Sequence, residues 1–171
     1  MSQRAYEICL EMLQQRGYDI IDQDKENLRV TALKHDGNQM MVFFNNAPKF
    51  DAKSLKETIA MMNEIGITHS LVVYREGVTA ATKNTLNQSL EMRIELFAEE
   101  DLQFNITKHR LQPKFERMEE KEGDVFKKKY GIKFGTLRVD RPISRFYDYK
   151  RGDVIRITRP GGYINFRIVK G

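Results

Sequence analysis

The last third of the chain constrains the fold most, because it has the pattern of a β-hairpin. Two runs rich in β-branched and aromatic residues, Val154 to Thr158 and Tyr163 to Val169, are joined through Pro160-Gly161-Gly162. Such runs around a glycine turn predict two antiparallel strands. Polar and apolar residues alternate in the second run, which is typical of a strand buried on one face. We therefore expect Ile164, Phe166 and Ile168 to be buried, and Asn165 and Arg167 to point away.

Two residues in front of the hairpin predict how the chain enters it. Pro142 has the fixed backbone angle suited to the first turn of a helix, which we expect to end near Tyr147. Gly152 then allows a tight turn into Asp153 and the first strand.

Composition bounds the class of protein. The chain has 171 residues and a single cysteine, Cys9, which excludes an internal disulfide and a cysteine-based zinc site. Cys9 lies on an apolar helical stripe, so packing is favoured over a reactive thiol. The N-terminus has no signal-like sequence, and the longest apolar run, Met40 to Phe44, is too short to cross a bilayer. We expect an intracellular protein that does not contact membranes.

Charge divides the chain in two. Residues 1–103 carry 11 Lys and Arg against 16 Asp and Glu, whereas residues 104–171 carry 18 against 8, a net charge of +10. The basic part favours a polyanion or an acidic protein surface as its neighbour. We predict two domains, residues 1–102 and 103–171.

The first domain is predicted to be α/β, a mixed sheet with flanking helices. Strands and helices that alternate along a chain indicate parallel crossovers in a sheet. The predicted elements are a helix capped by Ser2, a hairpin around Asp36-Gly37-Asn38, a helix that starts at Asp51 or Ser54 and ends at Gly66, a strand at Ser70 to Tyr74, a helix from Ala80 to Met92, and a strand at Ile94 to Phe97.

The second domain is predicted to be a small α+β unit. We expect a strand through Ile106, then a helix over Glu116 to Tyr130 that is interrupted at Gly123-Asp124, and a strand at Leu137 to Val139 before the hairpin. The lysines at 127–129 are interpreted as a solvated helical face, with a binding site as the alternative.

The sequence lacks the residue patterns of known catalytic sites, which argues against an enzyme. The histidines, His35, His69 and His109, lack metal-ligand spacing, and phosphate-binding and dinucleotide-binding glycine loops are missing. The order of the first elements is also that of restriction-type nucleases, which need carboxylates on central strands to hold magnesium. The strand from Gln39 to Phe44 has none, and we interpret Asp22, Asp24 and Asp36 as turn residues. We predict no cofactor and no metal.

Motifs of the second domain resemble a known family. They are D-x-P-x-x-R-x-x-x-x-K-R-G-D-V-x-x-I-x-R-P with G-x-x-x-x-F-R after it, and N-x-T-x-H-x-L-x-P-K over Asn105 to Lys114. This pattern resembles the assembly domain of the subunit shared by eukaryotic RNA polymerases I, II and III, which has a shorter counterpart in the archaeal RNA polymerase. The likeness reaches the first helix, at Arg4-Ala5-Tyr6 and Glu11 to Tyr18.

The resemblance implies a non-catalytic polymerase subunit. The second domain would dock on the largest polymerase subunit, and the first would form a jaw near downstream double-stranded DNA, which it would contact weakly and only within the complex. Other polymerase subunits are further expected partners, and no homo-oligomer is expected. The assembly residues implied by the motif are Pro142, Arg145, Gly152, Arg159, Tyr163 and Arg167.

For each role that the resemblance implies, the chemistry of the residues also allows a purely structural role. The three arginines are forked donors suited to a partner's carboxylates or carbonyls, or else to internal pairing with Asp140, Asp148 or Asp153. The family's jaw helix near DNA matches Val78 to Lys83, where Thr79, Thr82 and Lys83 would meet a phosphate. Alternatively, Thr79 simply caps the helix.

The chain departs from the family in three places. The family's Asp-Pro is split into Asp140-Arg141-Pro142, the hairpin turn is shortened to Gly161-Gly162, and the jaw is shorter than the usual eukaryotic one. These departures indicate a divergent member of the kind encoded by large DNA viruses. We expect it in the nucleus if cellular, and in the virion or at host cytoplasmic replication sites if viral. The alternative function is a free-standing basic nucleic-acid-binding module.

Overall fold

The computed structural model describes residues 1–88 and 91–171, with the side chains of residues 87 and 88 excluded. Within it the chain forms two compact units, Met1–Phe104 and Asn105–Gly171. The predicted boundary after residue 102 lies two residues before this division. That the units act as a jaw and an assembly domain stays a prediction.

Unit 1 is an α/β unit built on a mixed sheet. Its elements are α1 (Gln3–Gln15), β1 (Tyr18–Asp24), β2 (Arg29–Lys34), β3 (Gln39–Phe44), β4 (Lys49–Phe50), α2 (Ala52–Ile65), β5 (His69–Tyr74), β6 (Gly77–Val78), α3 (Ala80–Gln88), β7 (Arg93–Ala98) and a 3₁₀ turn (Glu99–Leu102). The main sheet has the order β1-β2-β3-β5-β7. Its first three strands are antiparallel, whereas β3, β5 and β7 are parallel, which confirms the predicted mixed sheet.

Helices cover both faces of this sheet. Leu55 and Met62 of α2 pack against Met41, Phe43 and Val72 on one face. Side chains alternate along β3, so its even-numbered residues face the other side. There the ring of Tyr6 in α1 meets that of Phe44, with 4.9 Å between centroids. The predicted apolar stripe of α1 is buried at every position, namely Ala5, Ile8, Cys9, Met12 and Leu13.

Capping side chains begin α1 and α2 where the sequence predicted. The Ser2 hydroxyl accepts the Ala5 N–H at 3.2 Å. Of the two predicted starts of α2, Asp51 is the cap, since its carboxylate accepts the Ser54 N–H at 2.9 Å. Gly66 ends α2 with a φ of 79°, in the left-handed region where glycine is favoured.

The Asp51 cap makes part of the stability of unit 1 pH-dependent. The hydrogen bond from the Ser54 N–H holds the pKa of Asp51 below its usual range. The stabilisation is therefore present above the unfolded-state pKa and is lost as the pH falls through the lower folded-state pKa. We expect Asp51→Asn, which keeps an acceptor, to melt near the wild type at pH 7 and to lose less stability than the wild type on acidification. Asp51→Ala should have a lower melting temperature than the wild type already at pH 7. The melting temperatures are followed by circular dichroism. If the wild type and Asp51→Asn lost the same stability on acidification, this assignment of the cap would be contradicted.

Two expectations for unit 1 were wrong. Asp22 and Asp24 both lie in strand β1, which was not predicted. The carboxylates of Asp24 and Asp36 accept the N–H groups of the turn residues Asn27 and Asn38, whereas Asp22 was predicted to be in a turn and is in a strand. A bulge between Ile20 and Asp22 interrupts the alternation of polar and apolar residues along this strand, so the sequence pattern does not indicate a strand there. Helix α3 was predicted to run from about Ala80 to Met92, but Met92 lies outside it; the described part of the helix is Ala80–Gln88, and residues 89 and 90 are outside the described residues.

Unit 2 is an α+β unit around a four-stranded sheet. Its elements are a 3₁₀ turn (Ile106–Lys108), β8 (Lys114–Arg117), α4 (Glu120–Tyr130), β9 (Thr136–Arg138), α5 (Pro142–Tyr147), β10 (Val154–Thr158) and β11 (Ile164–Lys170). The sheet order is β8-β10-β11-β9. The predicted hairpin is confirmed, with β10 and β11 antiparallel and Val154 paired with Ile168. Gly161 and Gly162, at φ 92° and 83°, form its turn.

The hairpin is covered on both faces, which corrects the predicted single buried face. The larger core lies on the face of Ile155 and Ile157, together with Val169, and Asn165 and Arg167 share that face and are half-buried. On the other face Val154 and Ile168 are buried, and Gly123 of α4 lies against Val154, whereas Ile164, predicted to be buried, is 49% exposed. The sequence pattern of β11 shows which residues alternate but not which side carries the larger core.

Two further elements of unit 2 differ from the prediction. Ile106 begins a 3₁₀ turn rather than a strand, because the Asn105 carboxamide accepts both the backbone N–H and the hydroxyl of Thr107. Helix α4 begins at Glu120, after β8, and runs through Gly123 without interruption. A Cβ at Gly123 would lie 3.6 Å from a methyl of Val154, so the glycine sits against the sheet rather than at a break.

Candidate functional site

The predicted assembly residues fall at separate places on unit 2. Arg159 and Tyr163 close the hairpin turn, where the Arg159 N–H donates to the Tyr163 carbonyl at 2.8 Å, and both side chains are exposed. Gly152 lies at the opposite end of the hairpin, with a φ of 91°, and its N–H donates to the Val169 carbonyl. Five strand residues separate these ends by roughly 17 Å. A partner that contacts both Gly152 and the Arg159–Tyr163 turn must therefore extend along the whole length of the hairpin.

Pro142 and Arg145 lie on the short helix α5. Pro142 is its first residue, as predicted, and is exposed. Ser144 anchors the helix, since its hydroxyl donates to the Arg138 carbonyl at 2.8 Å. Arg145 is in the last turn and half-buried. The helix thus holds Arg145 in a fixed place at the surface of unit 2.

Each aspartate proposed as an internal partner contacts at least one cation besides the three motif arginines. Asp140 accepts two hydrogen bonds from the Arg138 guanidinium, at 2.9 and 2.6 Å, which hold the pKa of this carboxyl below its usual range. Lys150 donates to both oxygens of Asp148 at 2.7 Å, and Arg117 lies 3.7 Å from Asp153.

Arg167 has a role inside unit 2. Its guanidinium donates to the Thr136 carbonyl at 2.9 Å, at the start of the neighbouring strand β9. Its side chain also lies across Gly135, where an added Cβ would be 3.6 Å from the Arg167 Cγ. Arg167 therefore ties β9 to β11, so we assign it a structural contribution beside the predicted docking role.

The predicted DNA-proximal residues form a helix cap. The hydroxyls of Thr79 and Thr82 lie 2.7 Å apart, and the Thr82 N–H donates to the Thr79 hydroxyl at 3.3 Å. Thr82 is fully buried, whereas Lys83 is exposed. The geometry agrees with the capping alternative for Thr79, and it turns the Thr82 hydroxyl away from solvent. Of these three residues, Lys83 is the one whose charged side chain is exposed and can still contact a phosphate.

The three histidines contact neighbours in different parts of the chain. His69 lies 2.7 Å from Glu95, and His109 Nδ1 accepts the Leu111 N–H at 3.2 Å. His35 is almost fully exposed, 4.0 Å from Asp19.

A buried charge pair in unit 1 was not predicted. Both terminal nitrogens of Arg16 donate to the Glu95 carboxylate, at 3.1 and 3.0 Å, and the two side chains are 1% and 12% exposed. Arg16 entered the sequence analysis only within the likeness at Glu11 to Tyr18, and 79 residues separate it from its partner. No local spacing in the sequence signals such a pair.

Cys9 is a packing residue in the structure. It is fully buried, and burial raises the pKa of its thiol to about 12. Because the thiolate is the reactive form, we expect the native protein to react with a thiol reagent such as DTNB at pH 8 at least 100-fold more slowly than the urea-unfolded chain. Stoichiometric labelling of the native protein within seconds would contradict this burial.

The second unit carries the decisive likeness to known proteins. Residues 104–169 match the model of the RNA polymerase Rpb5 C-terminal domain. Unit 2 is an Rpb5 C-terminal domain. The predicted resemblance is therefore confirmed on the residues that carried it, and the α4 helix and the β10–β11 hairpin both lie within the Rpb5 C-terminal domain.

The likeness extends beyond the Rpb5 C-terminal domain to nearly the whole chain. The chain is 29% identical to the putative DNA-directed RNA polymerase subunit 454R of Invertebrate iridescent virus 6, over 99% of this chain and 100% of the relative. It is 28% identical to the RNA polymerases I, II, and III subunit RPABC1 of Caenorhabditis elegans, over 97% of this chain and 94% of the relative. The corresponding Dictyostelium discoideum subunit is 29% identical over 84% of this chain and 79% of the relative. The chain is thus a divergent relative of RNA polymerase subunits, cellular and viral.

These findings agree with a subunit rather than an enzyme in its own right. The relatives bear the names of RNA polymerase subunits of the Rpb5 type, as the sequence motifs predicted.

Among the described residues, no helix is both long and apolar enough to cross a membrane.

Proposed function

We propose that this protein is a non-catalytic subunit of a multisubunit DNA-directed RNA polymerase. Unit 2 docks on the largest polymerase subunit, and unit 1 is a jaw element near downstream DNA. The observation that carries the proposal is the Rpb5 C-terminal domain at residues 104–169, within a likeness that covers nearly the whole chain. The protein works where the polymerase works, inside a cell or a virion.

The structure supports a docking role for unit 2 through charge and rigidity. The unit carries most of the chain's positive charge, and its hairpin holds Arg159 and Tyr163 exposed at a well-defined turn. Exposed cations on a rigid scaffold steer association with an acidic surface. We propose Arg145, Arg159 and Tyr163 as the docking residues with side chains at the surface, and Pro142 and Gly152 as positions that shape the backbone between them.

The jaw role of unit 1 rests on the likeness and on Lys83. Because unit 1 has a net negative charge, any contact with DNA is weak outside the polymerase. The isolated protein should accordingly bind duplex DNA only at low salt.

Arg145 provides the test of docking. We expect the full-length Arg145→Glu protein, expressed with an affinity tag, to enter the polymerase at least tenfold less efficiently than the wild type, because a carboxylate there repels an acidic partner surface. Lys121→Glu, an equal charge change at an exposed residue in the first turn of α4, is the matched control and should incorporate normally. The ratio of tagged protein to the largest subunit after purification measures the effect, with thermal melting to show that both variants are folded. Equal incorporation of the two variants would remove Arg145 from the docking surface.

The alternative, a free-standing nucleic-acid-binding module, is favoured only by the charge of unit 2. It predicts tight binding of the isolated protein to nucleic acid, with an affinity that falls steeply with salt. The proposed subunit role predicts weak binding instead, so the affinity of the isolated chain for nucleic acid at physiological salt separates the two functions.

A further inference from the structure

An aromatic cluster lies on the α4 side of unit 2, opposite the larger core. Phe126 of α4 is at its centre, with ring centroids 4.7 Å from Tyr130, 5.3 Å from Phe134 and 4.6 Å from Phe166. Ring pairs at such distances are attractive contacts. The cluster fixes α4 on strand β11 and on the segment that follows the helix.

The rim of this cluster is apolar and exposed. Tyr130, Ile132 and Ile164 are 58%, 57% and 49% exposed, and Phe126, Phe134 and Phe166 are only partly buried. Ile132 lies between two cluster residues in the chain, and Ile164 shares a face of β11 with Phe166 two residues away. Side chains two residues apart on one strand face are about 7 Å apart. Ring contacts join Phe126 to Tyr130, Phe134 and Phe166, and Ile132 and Ile164 each lie two residues from a member of this cluster. We call these six residues the Phe126 patch: Phe126, Tyr130, Ile132, Phe134, Ile164 and Phe166.

Positive charges border the Phe126 patch. The Lys129 ammonium lies 5.0 Å from the centre of the Tyr130 ring, and Lys133 is exposed between Ile132 and Phe134. Arg156 is exposed and paired with Phe166 across the β10–β11 ladder, on the same face. The carboxylate nearest in this ladder belongs to Glu116, which Lys114 engages at 2.7 Å. Glu122, exposed one helical turn before Phe126, is a second carboxylate near the patch. Three cations against these two carboxylates give the border a net positive charge.

We propose that the Phe126 patch binds an acidic polypeptide segment whose aliphatic side chains cover Ile132 and Ile164. Exposed contiguous apolar surface marks an interaction site on a soluble protein, and the cations at its border select acidic residues beside the apolar ones. The inference does not depend on membership of a polymerase, because it rests on the patch alone. It also uses none of the six residues that the family motif implies for assembly.

The composition of the patch favours a protein over a nucleic acid. Single-stranded nucleic acids bind on open aromatic faces, where bases stack. Here the rings of Phe134 and Phe166 are engaged with that of Phe126, and two of the most exposed side chains are the aliphatic Ile132 and Ile164. Aliphatic side chains offer no stacking face and pack instead against apolar side chains of a partner.

A peptide selection on the full-length protein tests the proposal. A library of random displayed 16-residue peptides is selected on the wild type and, in parallel, on the Ile132→Ser/Ile164→Ser variant. Both substitutions replace exposed side chains, so the variant should fold. We expect peptides enriched only on the wild type to be rich in Asp and Glu together with Leu, Ile and Val. Leu111→Ser, which changes a 70% exposed aliphatic residue of unit 2 outside the patch, is the matched control.

Binding of the selected peptides decides the outcome. The double variant should weaken their binding at least tenfold, Leu111→Ser less than twofold, and Lys129→Gln/Lys133→Gln about threefold or more, with the loss smaller at high salt. Enriched peptides without acidic residues, or peptides equally bound by the double variant, would overturn the proposal. A dT20 oligonucleotide that binds the wild type and loses its affinity in Ile132→Ser/Ile164→Ser would also overturn it, in favour of nucleic acid.

Discussion

Arg16→Met is expected to destabilise unit 1 by about 3 kcal/mol, a large share of the stability of a small domain. The substitution leaves the Glu95 carboxylate, 12% exposed, without the two hydrogen bonds that Arg16 donates. A buried charge that loses its main partner keeps much of its desolvation cost, because His69 and Arg93, which lie 2.7 and 3.7 Å from Glu95, replace only part of the lost contact. Urea unfolding of the full chain, followed by circular dichroism, measures the loss.

Two further variants show whether the loss comes from the unpaired charge. Arg16→Met/Glu95→Met removes both charges, and we expect it to be more stable than Arg16→Met alone. Arg93 lies 3.7 Å from Glu95 but is 44% exposed, so Arg93→Met should cost only about 1 kcal/mol or less. A double variant no more stable than the single one would show that packing of Arg16, and not its charge, stabilises this site.

Ile155→Ala is expected to destabilise unit 2 by about 2–5 kcal/mol, the second large effect. Ile155 is fully buried in the core formed with Ile143, Ile157 and Val169. Truncation removes three carbons from the water-free interior and leaves a cavity, because β10 is held by strands on both sides. The urea midpoint of the unit 2 transition measures this effect.

The neighbouring strand offers the matched control. Ile164 is 49% exposed on β11, and Ile164→Ala should change stability by about 0.5 kcal/mol or less. Ile155→Ala should reduce incorporation into the polymerase because unit 2 is partly unfolded. If Ile155→Ala were as stable as Ile164→Ala, the described core of unit 2 would be wrong.

Local signals predicted the elements that depend on local chemistry. The Ser2 cap, the Gly66 helix end, the glycine turn of the hairpin and the Pro142 helix each depend on one or a few adjacent residues, and all are present. The family motif includes the Pro142 helix and the hairpin turn, so the same local residues also predicted the Rpb5 likeness.

Features that depend on distant residues were missed or misassigned. Strand β1 is a sheet edge with a bulge, so its pattern lacks a regular period. Gly123 has the sequence of a helix break, but the approach of Val154, 31 positions later, makes it a helix interior residue. The Arg16–Glu95 pair joins two ends of unit 1, and only tertiary structure brings these residues together.

The candidate docking residues show the same limit. A motif lists residues in chain order, and the structure places Gly152 and the Arg159–Tyr163 turn at opposite ends of a hairpin. Arg167 matches the motif as well as the others, yet its guanidinium bonds to Thr136 within unit 2. Conversely, the Phe126 patch has no sequence signature, because it assembles from a helix, a loop and a strand.

The most direct test of the proposed function is to purify the tagged full-length protein gently from the cells or infection in which it is made, and to quantify co-purifying proteins by mass spectrometry. The proposed function predicts that the two large subunits of one RNA polymerase are recovered in equal amounts with the tagged chain. Recovery of the chain alone, while a known subunit of that polymerase retrieves a complex without it, would contradict the proposed function.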